Sequence, residues 1–116
     1  MKVAIVGSRE FADDRTAEVN VRTYIKRLPS DTVIVSGGAR GVDTWAKHAA
    51  DDCGLETIVI LPDWKVYGKS AGMRRNSDIV AACDRLVAFW DGKSKGTKNS
   101  MDKARAAGKT VEVFYP

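Results

Sequence analysis

The fold of this chain is decided by one stretch, TVIVSGGARGVD at residues 32–43. A short run of β-branched residues ends there at a glycine turn, and apolar residues then recur at helical spacing from Val42 to Ala49. Two further glycine turns also follow apolar runs: VGSR at residues 6–9 and DGKSKGT at residues 91–97. Turns between strands and helices lie together at the carboxyl edge of a parallel sheet, where open α/β sheets bind ligands.

The rest of the chain continues this alternation. Strands are predicted near residues 2–7, 32–36, 56–61, 85–90 and 110–115, and helices near 13–28, 41–53, 72–83 and 97–108. The first four strands are apolar on both faces, which predicts helices on both sides, whereas Glu112 in the fifth suits a sheet edge. The predicted fold class is α/β: a Rossmann-like three-layer sandwich with a five-stranded parallel sheet, formed by residues 1–116 as one domain.

Composition limits the classes of function. The chain has 116 residues, 44% of them hydrophobic and 29% charged, and this is enough to bury a core. It has no apolar run of about 18 residues, so we expect no membrane partner. The apolar run before Gly7 is too short for a signal peptide and suits a buried first strand. The cysteines described next lead us to expect a cytoplasmic protein. The formal net charge of +4 suits an anionic ligand and permits nucleic acid without requiring it.

The cysteines and the histidine indicate neither a metal site nor a catalytic triad. Cys53 and Cys83 fall at the ends of predicted helices, and we expect both to be buried thiols in a reducing compartment. His48 lies beside the apolar stripe of its helix, so we expect it to be exposed. The spacing of these residues does not resemble a zinc site, and we predict that no metal or other cofactor is required.

The glycine turns contain residue types that bind phosphate. Glycine lets the backbone approach a ligand, and the N–H groups at a helix start attract anions. Residues 36–43 match neither a Walker motif nor a clean Gly-x-Gly-x-x-Gly, so a turn that only joins a strand to a helix stays an alternative. Asp43 would either stabilise its helix dipole or accept hydrogen bonds from ribose hydroxyls. The predicted ligand-binding residues of the three turns are Gly7, Ser8, Arg9, Gly37, Gly38, Ala39, Gly41, Asp43, Ser94, Gly96 and Thr97, with Thr97 also a candidate helix cap.

The longest predicted loop, PDWKVYGKSAGMRRN at residues 62–76, adds aromatic and basic side chains. We predict that Trp64 and Tyr67 stack on a base, with packing of the loop onto the protein body as the alternative. Arg75 and Asn76 come at a predicted helix start, an end that disfavours a cation, so we expect an anion nearby.

Together these motifs resemble the SLOG superfamily, which is named for its SMF/DprA and LOG branches, and within it the YspA-type, cpYpsA-related branch. The resemblance is carried, in chain order, by Gly7-Ser8-Arg9 with Phe11 and Asp13, by Ser36–Ala39 with Gly41 and Asp43, by Trp64, Tyr67–Lys69, Ala71-Gly72 and Arg75-Asn76, and by Phe89–Gly92 with Ser94 and Gly96-Thr97. It implies a Rossmann-like fold that binds nucleotides or nucleotide-derived ligands. Relatives sense or process such ligands, often in bacterial and phage conflict systems.

The LOG enzymes of this superfamily cleave the N-glycosidic bond of nucleoside monophosphates. They use an arginine at a helix start and a glutamate three residues after a Gly-x-Gly-Thr-type turn. Arg75 corresponds to the arginine, but Ser100 stands where the glutamate is expected. Asp102 would point about 200° around the helix from Ser100. The resemblance therefore implies a binding pocket without the hydrolase carboxylate.

The resulting hypothesis is a protein that binds a nucleotide or an NAD- or ADP-ribose-derived ligand, as a sensor or sequestering protein. Its expected partner is a phosphorylated small molecule, whose charge Arg9 and Arg75 would neutralise. Two alternatives stay open: a nucleotide N-glycosidase or phosphoribohydrolase, and a single-stranded nucleic-acid binder that uses the lysines at 93, 95 and 98 with Trp64. Asp43, Asp91 and Asp102 are the carboxylates available to the enzyme alternative, and a homo-oligomer also stays open.

Overall fold

The computed structural model describes residues 1–11, 14–38 and 40–115, and it contains a five-stranded parallel sheet. The strands are β1 (Lys2–Gly7), β2 (Val33–Ser36), β3 (Glu56–Val59), β4 (Arg85–Phe89) and β5 (Thr110–Phe114), in the order β3-β2-β1-β4-β5. Strand β1 is central, because Val3 is in register with Ile34 of β2 on one side and with Arg85 of β4 on the other. The predicted Rossmann-like α/β fold is confirmed.

Helices cover both faces of the sheet. They are α1 (Arg15–Lys26), α2 (Val42–Asp52), α3 (Trp64–Tyr67), α4 (Ala71–Ala82) and α5 (Lys95–Ala106), with short 3-10 turns at Arg9–Phe11 and Gly68–Ser70. Helices α1 and α2 pack on the face that carries Val3 and Ile5, and α4 and α5 pack on the face that carries Ala4 and Val6. Alternate residues of β1 therefore enter two separate cores, as a strand covered on both sides requires.

The helix starts depend on side-chain caps. Asp14 caps α1 by accepting a hydrogen bond from the Ala17 N–H at 3.1 Å. The cap of α5 is Ser94, whose Oγ accepts a hydrogen bond from the Thr97 N–H at 3.4 Å. The prediction that Thr97 caps this helix is therefore wrong: serine takes the cap position, and the helix starts at Lys95, two residues earlier than predicted.

The predictions for β3 and for residues 62–76 are also wrong. Strand β3 is not covered on both faces, because it lies at the sheet edge and Glu56 and Val59 are exposed. Residues 62–76 are not an irregular loop, since they contain α3, a 3-10 turn and the start of α4. The Asp63 carboxylate caps α3 by accepting a hydrogen bond from the Val66 N–H at 3.2 Å. A helix of four residues is too short to show a hydrophobic period.

The two cysteines differ in environment. Cys83 is buried as predicted, and burial raises the pKa of its thiol. Cys53 is exposed, against the prediction, because it follows the last turn of α2 at the surface. His48 is exposed as predicted. Among the described residues, none of the helices could cross a membrane, and no three His, Cys, Asp or Glu side chains are grouped to hold a metal ion.

One close approach fixes the end of β1. A Cβ atom added to Gly7 would lie 2.6 Å from the Cβ of Val42, the fully buried first residue of α2. A side chain at position 7 would therefore push α2 away from the sheet. This contact sets the distance between the turn after β1 and the start of α2.

Candidate functional site

A cavity of about 780 Å³ opens at the carboxyl edge of the sheet, and its lining includes the turns that follow β1 and β4. These two strands are neighbours, but β2 and β3 extend from β1 in one direction and β4 and β5 in the other. Parallel sheets leave a crevice where the strand order reverses in this way. The volume lies within the range of about 300–1,000 Å³ that is usual for small-molecule sites.

Most of the predicted site residues meet at this cavity. Its lining includes Gly7, Arg9, Asp43, Trp64, Arg75, Asn76, Ser94, Gly96 and Thr97. Residues outside the lining are Ser8, Gly37, Gly38, Gly41 and Tyr67. Ala39 lies outside the described residues, as does Asp13 of the family resemblance. Ligand contact by any of these residues stays a prediction.

Arg75 is held in place by the turn after β2. Its Nη1 donates a hydrogen bond to the Gly37 carbonyl at 2.7 Å, and its Nε donates to the Oδ1 of Asn76 at 3.1 Å. A Cβ added to Gly37 would lie 2.5 Å from Nη1, so glycine is what permits this approach. The Gly37 N–H donates to the Oδ2 of Asp43 at 3.1 Å. Gly37 therefore positions the guanidinium and a carboxylate that both line the cavity.

The charge of Arg75 is poorly compensated. Burial lowers the pKa of Arg75, and the nearby positive charge of Arg9 lowers it further, while Asp43 acts in the opposite direction. Within the described residues neither arginine forms an ion pair with a carboxylate at 4.0 Å or less. Helix α4 starts at Ala71, one residue earlier than predicted, so Arg75 lies at the beginning of its second turn. The expectation of an anion here now rests on the pair of guanidinium groups.

Asn76 connects α4 to α5. Only 8% of the residue is exposed, and its Nδ2 donates hydrogen bonds to the Gly96 carbonyl and to the Oδ1 of Asn99, both at 3.3 Å. Its Oδ1 accepts the hydrogen bond from Arg75 described above. The amide therefore holds the cavity-lining arginine and the first turn of α5 in a fixed relation.

Asp91 connects the turn after β4 to the turn after β1. Its Oδ1 accepts hydrogen bonds from the Lys93 and Ser94 N–H groups at 2.8 Å each and from the Ser8 hydroxyl at 3.1 Å. These bonds, led by those from Ser94 and Lys93, lower the pKa of Asp91. Ser8 is fully buried, so its hydroxyl holds this edge of the cavity together. A carboxylate stabilised in its charged form is a weak proton acceptor.

The start of α5 offers backbone donors to the cavity. Among the described residues, no acceptor is found for the N–H groups of Lys95 and Gly96, which occupy the first two positions of this 12-residue helix. Gly96 lines the cavity. Unpaired N–H groups and the helix dipole together favour an anion at this point.

The opposite side of the cavity comes from α3 and the start of α4. It consists of Trp64, Lys69, Gly72 and Met73, and Trp64 is 55% exposed. A Cβ at Gly72 would be 3.8 Å from the Trp64 ring, so the indole lies close to the helix backbone. Tyr67, the other predicted aromatic contact, stays outside the lining, with the Arg74 guanidinium 4.4 Å from its ring centroid.

Ser100 lines the cavity, at the position where the family resemblance puts a hydrolase glutamate. It is 2% exposed, and its Oγ donates to the Gly96 carbonyl at 3.4 Å. Asp102 is exposed and accepts a hydrogen bond from the Lys98 Nζ at 2.7 Å, away from the cavity as its helical angle predicts. Of the lysines in the nucleic-acid alternative, Lys93 lines the cavity and Lys95 does not.

Several lining residues lie outside the predicted ligand-binding set, although Asp91 and Lys93 were named for the two alternative functions. They are Val6, Lys69, Gly72, Met73, Ile79, Asp91, Lys93 and Ser100. The lysines and Asp91 belong to segments that the sequence already predicts to be functional, so sequence reasoning could have included them in the site. Val6 and Ile79 follow the core pattern of their elements, and only the packing of α4 against the sheet shows that they also reach the cavity.

Comparison with known proteins identifies the family. A family model described as YAcAr (YspA, cpYpsA-related SLOG family) matches residues 1–67. Gene 61 protein of Mycobacterium phage D29 is 37% identical over 119 residues, which cover 97% of this chain and 95% of that protein. The chain therefore belongs to the YspA, cpYpsA-related SLOG family, as its motifs predicted.

DNA processing protein DprA is similar in both sequence and structure. The Streptococcus pneumoniae protein is 43% identical over 60 residues, which cover 52% of this chain and 21% of DprA. Its crystal structure matches with a TM-score of 0.83 at 27% identity, over 97% of this chain and 49% of that one. Helicobacter pylori DprA, described in terms of its single-stranded DNA binding mode, matches with a TM-score of 0.78 at 26% identity, over 97% of this chain and 64% of that one. The chain thus spans only part of the DprA proteins.

Proposed function

We propose that this SLOG-family chain binds single-stranded DNA and holds one nucleotide of the strand in the cavity. The observation that carries the proposal is the cationic lining: Arg9, Lys69, Arg75 and Lys93 surround a cavity that also contains the half-exposed Trp64. Single strands are bound by grooves that combine positive charge with aromatic rings. The single-stranded DNA binding of Helicobacter pylori DprA, which matches 97% of this chain, supports the proposal.

Each side of the cavity has a role in this proposal. The phosphate lies between the guanidinium groups of Arg9 and Arg75, close to the N–H of Gly96. The base lies against Trp64, whose indole is 55% exposed. Phosphate contacts then supply most of the affinity, and stacking supplies a contribution that tolerates any base.

The experiment is a titration of a fluorescein-labelled oligothymidine, followed by anisotropy at several salt concentrations. For single strands the slope of log K against log salt is about −0.7 per neutralised phosphate, so Arg9→Ala should reduce the slope by about 0.7. Trp64→Ala should weaken binding by at least about fivefold without changing the slope. Arg27→Ala is the matched control, because Arg27 is exposed at the end of α1 on the other face of the sheet.

The outcomes separate the classes of ligand. Binding that is insensitive to salt and to both cavity variants would overturn the proposal. If an RNA oligomer competes better than the DNA oligomer, the ligand is RNA and the DNA proposal is wrong. If duplex DNA competes equally well, the protein does not select single strands.

A free nucleotide is the second candidate, because the buried apolar side chains of Val6 and Ile79 line the cavity together with the phosphate donors. A ligand at about 100 times its Kd should stabilise the fold by about 2.7 kcal/mol. A thermal-shift panel of NAD, ADP-ribose, cyclic nucleotides and mononucleotides tests this candidate. A stabilising nucleotide that oligothymidine cannot displace would favour it over the DNA proposal.

A further inference from the structure

The Arg74 guanidinium lies over the ring of Tyr67, and Arg74 is flanked in the chain by Met73 and Arg75, which line the cavity. The Arg74 guanidinium lies 4.4 Å from the centroid of the Tyr67 ring, and the tyrosine is 45% exposed. Trp64 and Tyr67 are three residues apart in α3, so their side chains are neighbours on one face of the helix. Because Trp64 lines the cavity, Tyr67 is the next aromatic position outward.

The pair is held in its geometry by local hydrogen bonds. Arg74 Nε donates to the Ser70 Oγ at 3.2 Å, and the Ser70 Oγ donates to the Tyr67 carbonyl at 2.9 Å. In the described part of the chain Arg74 has no carboxylate within ion-pair distance. The guanidinium is therefore oriented over a ring while its charge stays uncompensated.

The segment around the pair is strongly basic. Residues 62–77 contain Lys65, Lys69, Arg74 and Arg75 against a single acidic residue, Asp63. The Asp63 carboxylate already accepts the hydrogen bond of the Val66 N–H that caps α3. An anionic polymer that leaves the cavity on this side would meet positive charge and a half-exposed tyrosine.

We propose that Tyr67 and Arg74 form a second nucleotide position, so that the chain binds two adjoining nucleotides of one DNA strand. The inference rests on the proposed function, because the first nucleotide occupies the cavity. The second base stacks on the ring of Tyr67, which is 45% exposed, and its phosphate meets Arg74. A free mononucleotide fills only the cavity, so this position selects a strand over a single nucleotide.

The test is the ratio of the affinity for oligothymidine to the affinity for thymidine monophosphate. The oligomer is measured by anisotropy and the mononucleotide by calorimetry. In Tyr67→Ala and in Arg74→Gln this ratio should fall by at least about fivefold, the lower end of the cost of losing one base–aromatic stack. Tyr67→Phe keeps the ring and should retain the ratio. Tyr115→Ala is the control, because Tyr115 is 62% exposed and follows β5 at the far edge of the sheet.

The outcomes distinguish this inference from the proposed function. If the wild-type protein binds oligothymidine but the ratio is unchanged in Tyr67→Ala and Arg74→Gln, the second position is wrong and the cavity proposal stands. If both affinities fall together, the pair supports the fold and the inference is overturned. If the wild-type protein does not bind the oligomer, both the proposed function and the second nucleotide position are wrong.

Discussion

The two sides of the cavity are built by different means. The inner side is lined by the turns after β1 and β4 and supported by the turn after β2, and polar groups there bond to one another: Ser8 to Asp91, and Gly37 to Arg75. The outer side consists of α3 and the start of α4, where large side chains are exposed, including Trp64 at 55% and Met73 at 56%. The inner side is thus held by hydrogen bonds across the sheet edge, and the outer side presents side chains to solvent.

The difference follows from how each side is connected to the sheet. Strands β1 and β4 are paired up to Gly7 and Phe89, and the Ser8 N–H then donates to the Phe89 carbonyl at 3.1 Å. The inner turns therefore leave the sheet in a fixed register. The outer side follows β3, an edge strand with one neighbour. We expect substitutions that break these inner contacts to affect folding or the placement of Arg75, and substitutions on the outer side to affect binding alone.

Gly7→Ala should produce the largest effect on the inner side. The new methyl group would overlap Val42, a fully buried residue, and overpacking of this kind costs about 1–3 kcal/mol. Urea denaturation should show a lower midpoint with an unchanged slope. Gly96→Ala is the matched control, because a Cβ there meets no atom within 4 Å and alanine favours the helix. If the two variants were equally stable, the contact between Gly7 and Val42 would not hold α2 in place.

Arg75→Ala should weaken oligothymidine binding more than it weakens the fold. A charge-assisted hydrogen bond contributes about 1.5–3 kcal/mol, so the affinity should fall at least about tenfold. Anisotropy measures the affinity, and the melting temperature measures the stability of the fold. Arg27→Ala is the control for loss of a positive charge. An unchanged affinity with a lower melting temperature would assign Arg75 a structural role only.

The sequence predicts the inner side better than the outer side. Glycine turns after β-branched runs are local signals, and they correctly place Gly7, Arg9, Asp43 and Gly96 at one cavity. The roles of Ser8 and Gly37 are not local. Ser8 bonds to Asp91, 83 residues away, and Gly37 bonds to Arg75, 38 residues away. These roles therefore depend on which distant segments the fold brings together.

The first part of the outer side was mispredicted because α3 is short. Helix α3 has four residues and depends on Asp63 as its cap, so no periodic pattern was available. The i, i+3 relation of Trp64 and Tyr67 appears only once the helix is known. In the structure Trp64 belongs to the lining and Tyr67 does not, whereas the sequence predicted the same stacking role for both.

A smaller effect is expected from the charge on Asp91. Its pKa is held below 3.8 in the folded protein, so its hydrogen bonds stabilise the fold above this value. The contribution is lost as the pH falls below 3.8 towards the lower folded-state pKa. The difference in free energy of unfolding between wild type and Asp91→Asn should therefore be constant near neutral pH and shrink in acid. Urea denaturation at a series of pH values measures it. A difference that persists in strong acid would show that hydrogen-bond geometry, and not charge, holds this turn.

The smallest expected effect is catalytic: the protein should release no free base from AMP, CMP or NAD. Oxocarbenium-like chemistry requires a carboxylate beside the sugar, and the family glutamate position is occupied by Ser100. On the inner side, Asp91 already accepts three hydrogen bonds and Asp43 accepts one from Gly37, so both are committed to holding the turns. Tight binding without a group that favours the transition state does not accelerate the reaction. Chromatography of the reaction mixture detects free base directly. Turnover that disappears in Asp43→Asn or Asp91→Asn would show that the inner side is a catalytic centre as well as a support for Arg75.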